Sequence, residues 1–244
     1  PSQVSTLGSA YIMRNYRGVT VTFNPFLYNP TTNVLRVYTS VRVAVSNSSK
    51  TGENTLTHNV KNVDSFDFVY KNHFLNYETN RYNSLDEFGT ILVIAPQNYF
   101  PTMQIYVDWK IQKGITTEMV DVATIGNNST SIKNYIQNYY DTHDDLAFVQ
   151  IAGDAAEVAT LTSGGGGADP MYSLVAGSDT YPDIFIGRFS AETVDQLATQ
   201  VERTISYERD ENTSATYLRK AFGIASGEGG GTQGDMGESD IAHM

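Results

Sequence analysis

The sequence contains no cysteine, and only one of its 244 residues is tryptophan. The absence of cysteine excludes disulfides, thiolate metal sites and a cysteine nucleophile within these residues. Basic side chains are also few: 16 Lys and Arg stand against 27 Asp and Glu, which gives a net charge of −11. This excess of negative charge argues against nucleic acid as a partner. No apolar run approaches the roughly 20 residues that a membrane span requires, so we expect no membrane span.

The charged residues are unevenly distributed along the chain. Residues 1–81 carry eight Lys and Arg against four Asp and Glu, whereas residues 82–244 carry eight against 23. One interpretation is a basic segment that packs on an acidic body through complementary charge. The other is chance variation along a single acidic domain.

The front part of the chain has the pattern of β-strands. Residues 19–23 (VTVTF), 34–38 (VLRVY) and 41–45 (VRVAV) alternate or are β-branched, and Asn29-Pro30 supplies a turn signal. Such runs, separated by turn residues, are typical of a half-exposed antiparallel sheet.

After Arg81 the pattern changes to an alternation of strands and helices. Short apolar runs predict buried strands, and longer segments with apolar residues at helical spacing predict helices. This alternation favours an α/β fold, a mostly parallel sheet with helices on both faces. The predicted strands are 91–95, 115–120, 146–152, 184–189 and 221–226, and the predicted helices are 103–113, 130–140 and 191–209.

Acidic residues stand close to the ends of these strands. Asp154 follows the third strand, and Asp179 and Asp183 precede the fourth. Several carboxylates and a backbone carbonyl suit a hard cation such as calcium. Aspartates are also common in turns for purely local structural reasons. The spacing alone therefore leaves open both a calcium site and ordinary turn residues.

A glycine-rich loop follows the last predicted strand. Gly229, Gly231 and Gly234 satisfy the G-x-G-x-x-G pattern of dinucleotide sites. Such a site belongs on the first strand of the series, and Glu228 and Asp235 would place negative charge beside the pyrophosphate. We therefore do not expect a nucleotide here.

Several ordered motifs resemble the gingipain-type cysteine peptidases, which are secreted bacterial endopeptidases with a caspase-like α/β fold. Residues 14–45 resemble the end of that family's propeptide. The resemblance implies a β-rich propeptide segment over 1–81 and the first part of the catalytic domain over 82–244. The motifs are Val107-Asp108-Trp109-Lys110, Gly153-Asp154, 175–190 (VAGSDTYPDIFIGRFS), 203–205 with 207–209, 224–226 with 228–230, and 237–241 (GESDI).

The resemblance also implies roles for individual residues. Arg81-Tyr82 matches the position at which family members are cut between propeptide and mature enzyme. Glu228 matches the acidic residue that supports the catalytic His, and Asp240 matches the acid of the specificity pocket in Arg-specific members. A structural calcium ion would be bound by Asp154, Asp179, the carbonyl of Tyr181, and Asp183.

By the same resemblance, the parent is a hydrolase made as a zymogen, which cleaves protein or peptide substrates after Arg. Its docked propeptide would block the cleft until the cut at Arg81. The family's catalytic His and Cys lie beyond Met244, in the missing carboxyl-terminal half of the catalytic domain, so we expect this chain alone to be inactive. The alternative is a non-catalytic, calcium-stabilised α/β module that binds partners or sits at the cell surface.

Overall fold

The computed structural model describes residues 3–46, 52–77, 88–209, 216 and 220–221. Contacts between Cα atoms divide the chain into two units, 1–205 and 206–244. Within the described residues, no helix is long and apolar enough to cross a membrane. The description below concerns the first unit, apart from the last turn of the final helix.

Two β-hairpins form the amino-terminal part. Strands β1 (Ser5–Met13) and β2 (Tyr16–Phe23) pair antiparallel, with a bulge between Leu7 and Ala10. Strands β3 (Phe26–Asn29) and β4 (Val34–Val37) form the second hairpin. The predicted strand at 41–45 is wrong: the structure describes these residues as irregular, with Val41 and Val45 exposed. Alternating valines need a partner strand, and the described part of the chain supplies none there.

A helix that the sequence did not predict follows the hairpins. Helix α1 (Asp64–His73) buries Phe66 and Tyr70, which are four residues apart and therefore share one helical face. These rings pack with Met13 and Ala147 in a small hydrophobic cluster. The cluster joins the front of the chain to the α/β body.

The described part of the body contains a four-stranded sheet in the order β10-β7-β5-β6, in which all neighbours are parallel. All six residues of β5 are buried, as expected for a strand covered on both faces. The strands are β5 (Thr90–Ala95), β6 (Thr117–Asp121), β7 (Leu146–Ala152) and β10 (Phe185–Phe189), and a minor hairpin pairs β8 (Thr162–Ser163) with β9 (Gly166–Gly167).

The described part of the body has four α-helices, and two of them have sequence signals that fit their first turn. Pro101 lies in the first turn of α2 (Phe100–Gln112), where a missing N–H costs nothing. The side chain of Asn128 caps α4 (Ser129–Thr142) by accepting a hydrogen bond from the N–H of Ser131 at 2.9 Å. The remaining helices are the short α3 (Val122–Ile125) and the long α5 (Val194–Arg209).

The helices cover both faces of the sheet. On one face, Ile132 and Ile136 of α4 pack with Leu92 and Ile94. On the other face, α2 and α5 pack with Val93 in a second cluster. The α/β fold with helices on both faces is confirmed. The predicted strand 221–226 lies almost wholly outside the described residues.

The two ends of the parallel strands define two edges of the sheet. The amino-terminal edge lies where the strands begin, near Asp145 and Ile184, and the carboxyl-terminal edge lies where they end, near Gly153 and Ser190. Strand β7 has seven residues. At about 3.3 Å per residue, such a strand separates the two edges by roughly 20 Å.

Candidate functional site

The predicted site residue Asp183 is fully buried at the amino-terminal edge, just before β10. Its Oδ2 accepts hydrogen bonds from the backbone N–H groups of Val175 at 3.0 Å and Ala176 at 2.7 Å. Its Oδ1 accepts one from the N–H of Arg14 at 2.8 Å. Burial raises the pKa of Asp183 to about 6, although these three hydrogen bonds act in the opposite direction.

Asp179 lies in the loop before Asp183 and contacts the same hairpin. Its Oδ2 accepts a hydrogen bond from the N–H of Ile12 at 2.7 Å, and its Oδ1 accepts one from the N–H of Tyr181 at 3.0 Å. The loop begins at Gly177, whose φ of 72° is left-handed. A Cβ at Gly177 would lie only 2.8 Å from Oδ2 of Asp179, so glycine leaves room for this carboxylate.

Arg14 is the residue of the β1–β2 turn that reaches deepest into the body. It is fully buried and has a left-handed φ of 49°. Its Nη1 donates to the carbonyls of Leu146 at 2.6 Å and Asp183 at 3.1 Å, and its Nη2 donates to the carbonyl of Lys61 at 3.2 Å. The guanidinium also lies 5.3 Å from the ring centre of Phe66. Burial lowers the pKa of Arg14, and nearby acidic groups oppose that shift.

Aromatic rings extend this contact. Tyr11 stacks on Tyr181 with 4.0 Å between ring centres, and its hydroxyl is 2.8 Å from Nε2 of His73. The Tyr11 ring lies across Gly18 of the neighbouring strand, and a Cβ there would overlap the ring. Tyr181, one of the predicted calcium ligands, therefore packs its ring against the hairpin.

Asn54 adds a further polar contact between the front of the chain and the loop. Its Oδ1 accepts two hydrogen bonds from Ser178, one from the backbone N–H at 2.9 Å and one from the side-chain hydroxyl at 3.0 Å. Its Nδ2 donates to the carbonyl of Ala10 at 2.8 Å. The side chain thus bridges β1 and the loop that carries Asp179.

The structure does not bring the predicted calcium ligands together. Asp154 follows β7 at the carboxyl-terminal edge, where its Oδ1 accepts a hydrogen bond from the hydroxyl of Ser190 at 3.0 Å. Asp179 and Asp183 precede β10 at the opposite edge. Within the described ranges, no group of three or more Asp, Glu or His side chains is placed to hold a metal.

The surroundings of the Asp183 carboxylate do not suit a cation either. Both of its oxygens accept hydrogen bonds from backbone N–H groups, which carry partial positive charge. A shared ion among the three aspartates and the Tyr181 carbonyl is thus not supported by this arrangement. Calcium binding as such stays a prediction.

Arg188, which sequence reasoning did not single out, organises the carboxyl-terminal edge. Its Nε and Nη2 donate to the two carboxylate oxygens of Asp169 at 2.6 and 2.8 Å. Its Nη1 donates to the carbonyls of Gly153 at 2.8 Å, Val158 at 2.9 Å and Asp154 at 3.3 Å. Such a planar fork of donors can fix two loops at once. The sequence signal that could have identified Arg188 is a charged residue within a predicted buried strand.

Four predicted functional residues lie outside the described residues: Arg81 and Tyr82 of the processing site, Glu228, and Asp240. Their assignments stay predictions, as does the domain boundary between 81 and 82.

Comparison with known proteins places this fold in a family. The model of Peptidase family C25 matches residues 84–243, and the model of Propeptide_C25 matches residues 1–85. Gingipain R2 of Porphyromonas gingivalis strain W83 is 39% identical over 250 residues, which is all of this chain and 34% of the relative. Lys-gingipain of the same species is 27% identical over 242 residues, which is 92% of this chain and 13% of the relative.

Among the solved structures that are similar to this chain, two are gingipain structures. One is a crystal structure of the Arg-specific cysteine proteinase gingipain R, with a TM-score of 0.56 and 36% identity, covering 66% of this chain and 38% of that one. The other is a complex of the pro- and mature domains of Porphyromonas gingivalis RgpB, with a TM-score of 0.55 and 37% identity, covering 64% of this chain and 37% of that one.

The fold and these matches together define part of a peptidase precursor, a propeptide followed by the start of a catalytic domain. The chain belongs to Peptidase family C25. It spans about a third of the length of Gingipain R2.

Proposed function

We propose that the chain is part of the zymogen of a secreted cysteine endopeptidase that cleaves after Arg. Residues 1–81 would be the end of its propeptide, and residues 82–244 would be the first part of its catalytic domain. The observation that carries this proposal is the order of the two family matches, propeptide over 1–85 and peptidase over 84–243. They meet within a few residues of Arg81-Tyr82.

Two features support specificity for Arg. The chain is 39% identical to gingipains R1 and R2 but 27% identical to Lys-gingipain. By resemblance, Asp240 would lie in the primary pocket, where a carboxylate can accept two parallel hydrogen bonds from a guanidinium. A lysine ammonium is a point charge and cannot form that pair of bonds. Cleavage after Arg81 by the enzyme itself would require the same specificity.

The chemistry would be acyl transfer. A His would take the proton of a Cys, and the resulting thiolate would attack the scissile carbonyl. The same His would then protonate the leaving amine as the C–N bond breaks, and water would hydrolyse the thioester and regenerate the thiol. Glu228 would orient that imidazole and stabilise its charged form. The 244 residues contain no cysteine, so this chain alone should not hydrolyse peptides by this mechanism.

Export and calcium are further parts of the proposal. Export is supported by the bacterial relatives of the family and fits a chain without cysteine. Calcium is supported by the family resemblance alone. Metal analysis of the purified protein after dialysis would test it: about one calcium per chain is expected, and its absence in the complete parent would contradict it.

The Arg pocket is tested by replacing Asp240 with Ala in the complete parent, with Asp235→Ala as the matched control on the same glycine-rich segment. Removing one partner of a desolvated charge pair should lower kcat/KM for Arg substrates by roughly 100-fold. The thermal midpoint of unfolding should change little. Equal turnover of Arg and Lys substrates by the unmodified enzyme would contradict the pocket assignment. A parent that cleaves neither would favour the non-catalytic alternative.

A further inference from the structure

A cavity of about 280 Å³ lies between residues 54–58 and the residues that precede β10. Its wall also contains Tyr140 and Asp141 from the carboxyl-terminal end of α4, and we call it the edge cavity. Cavities that hold small organic molecules begin at about 300 Å³, whereas one water takes up roughly 30 Å³. Thr55, Leu56 and Thr57 of the wall are exposed, so the cavity is open to solvent. Its size and its opening therefore suit a small organic ligand.

Two side chains of the wall carry a buried polar atom that has no hydrogen-bond partner among the described residues. These atoms are the hydroxyl oxygen of Tyr140 and Nε2 of His58. Tyr140 is only 1% exposed, and the centres of the two rings are 5.2 Å apart. Polar atoms buried this deeply in native proteins are nearly always hydrogen-bonded, either to protein or to a molecule held beside them. The wall thus indicates an occupant with hydrogen-bonding groups.

The backbone of the wall offers little to an anion. An anion is commonly held by backbone N–H groups of a loop, but here those groups already have acceptors. The N–H groups of Val175 and Ala176 donate to the Asp183 carboxylate at 3.0 and 2.7 Å. The N–H of Ser178 donates to Oδ1 of Asn54 at 2.9 Å.

The wall does carry negative charge. Asp141 lies in the last turn of α4, where the unpaired carbonyls of the helix add partial negative charge. Its Oδ1 accepts a hydrogen bond from Nε2 of Gln137 at 3.1 Å, and a carboxylate has capacity for further donors. A cation is therefore favoured over an anion in the edge cavity.

The two unpartnered atoms can both act as acceptors for such a cation. Burial raises the pKa of Tyr140, Asp183 and Asp141 add to that rise, and Arg14 opposes it. The hydroxyl is thus neutral at pH 7, and its oxygen has lone pairs to offer. Nε2 of His58 accepts in the tautomer that carries its hydrogen on Nδ1.

We propose that the edge cavity binds a small ligand with a primary ammonium group. The ammonium would donate to the Asp141 carboxylate, the Tyr140 oxygen and Nε2 of His58. Its three N–H donors match these three acceptors in number, and the faces of the two rings attract a cation as well. A short apolar chain on the ligand would pack against Ile12 and Val175 of the same wall. This site goes beyond the proposed function and does not depend on it.

Isothermal titration calorimetry of the full 244-residue chain tests the site, with n-butylammonium as the probe in phosphate buffer, which contains no competing amine. The variants are Tyr140→Phe and Asp141→Asn. The matched control is Tyr135→Phe, because Tyr135 lies on the same helix but outside the wall. Butyrate serves as a probe of opposite charge, and circular dichroism establishes that each variant folds.

We expect about one n-butylammonium per chain, and binding at least tenfold weaker to Tyr140→Phe and to Asp141→Asn, since each variant removes an acceptor from a charged donor. Tyr135→Phe should bind like the unmodified chain. If Tyr140→Phe does not fold, Asp141→Asn decides the matter, because the Asp141 side chain is exposed.

Three results would overturn the proposal: no saturable binding by the unmodified chain, tighter binding of butyrate, or unchanged affinity of Asp141→Asn. Asp240→Ala separates this site from the proposed specificity pocket, which would also attract a cation. The edge cavity predicts unchanged affinity in Asp240→Ala, and a loss of binding there would overturn the assignment.

Discussion

Replacing Arg188 with Met should strongly destabilise the α/β body, because it removes the group that fixes two loops at the carboxyl-terminal edge. Met keeps the length of the side chain and its apolar stem but not the five donors. The bidentate pair with Asp169 would be lost, and so would the bonds to the carbonyls of Gly153 and Val158. Asp169 would be left as a partly buried charge, and among the described residues Thr160 would remain as its hydrogen-bond donor, at 2.7 Å.

The magnitude follows from the exposure of the pair. The side chains of Arg188 and Asp169 are 12% and 22% exposed. Breaking a fully buried pair by removing one partner costs about 3–5 kcal/mol. Since Asp169 can recover some water here, we expect the lower end, about 3 kcal/mol of unfolding free energy. Burial acts to raise the pKa of Asp169, but the hydrogen bonds from Arg188 and Thr160 hold it below its ordinary value.

Urea unfolding at pH 7 followed by circular dichroism would measure the loss, with Arg36→Met as control. A second experiment measures the same loss of stability at several pH values. Without Arg188, the pKa of Asp169 should rise, so the penalty of Arg188→Met should shrink as the pH is lowered and the carboxylate becomes neutral. A loss below about 1 kcal/mol, as for a surface ion pair, would refute the reasoning. So would a penalty that grows as the pH falls.

Three other predictions concern the described fold and the processing site. Asp183 has a pKa of about 6 in the folded chain, above its unfolded value, so stability should fall by up to about 3 kcal/mol as the pH rises from about 4 to 7. Urea unfolding of Asp183→Asn across that range should show a flatter profile; an unchanged slope would contradict the shift. Met103 is fully buried, so Met103→Ala should cost about 2–5 kcal/mol in the same assay, and less than 1 would contradict its place in the core. Arg81→Gln in the complete parent should abolish the cut between 81 and 82, as judged by intact mass; continued cutting there would disprove the assignment.

The parallel sheet was predictable from sequence because its strands are covered on both faces. Residues 91–95 form an uninterrupted apolar run, and residues 146–152 form one interrupted only by Gln150; both are strands in the structure. Elements that depend on tertiary partners were less predictable. The polar helix α1 carries only Phe66 and Tyr70 as fully buried residues, and the valines of 41–45 alternate without gaining a strand partner in the described structure.

The candidate site was predictable only in part. The sequence indicated Asp179 and Asp183 as important, but it could not show that their oxygens accept hydrogen bonds from the backbone N–H groups of Ile12 and Arg14 in the first hairpin. Arg14 looks like an ordinary turn residue, and its burial depends on Leu146, 132 positions away. Asp154 was expected beside the other two aspartates. It follows its strand whereas they precede theirs, so the strand length separates them.

The propeptide match explains why the front of the chain has so little core of its own. Phe26, Tyr28, Val34 and Leu35 of the second hairpin are each more than half exposed. The buried residues of the front segment are instead those that contact the body, such as Ile12 and Met13. The ordered structure of this segment therefore depends on its contacts with the body.

The most direct test of the proposed function is the cleavage specificity of the complete parent protein. It would be activated by removal of residues 1–81 and assayed with matched peptides that carry Arg or Lys at the cleavage site, with and without iodoacetamide. We predict cleavage after Arg that thiol alkylation abolishes, and little cleavage after Lys. Cleavage that survives alkylation, or no cleavage of either peptide, would contradict an Arg-specific cysteine peptidase.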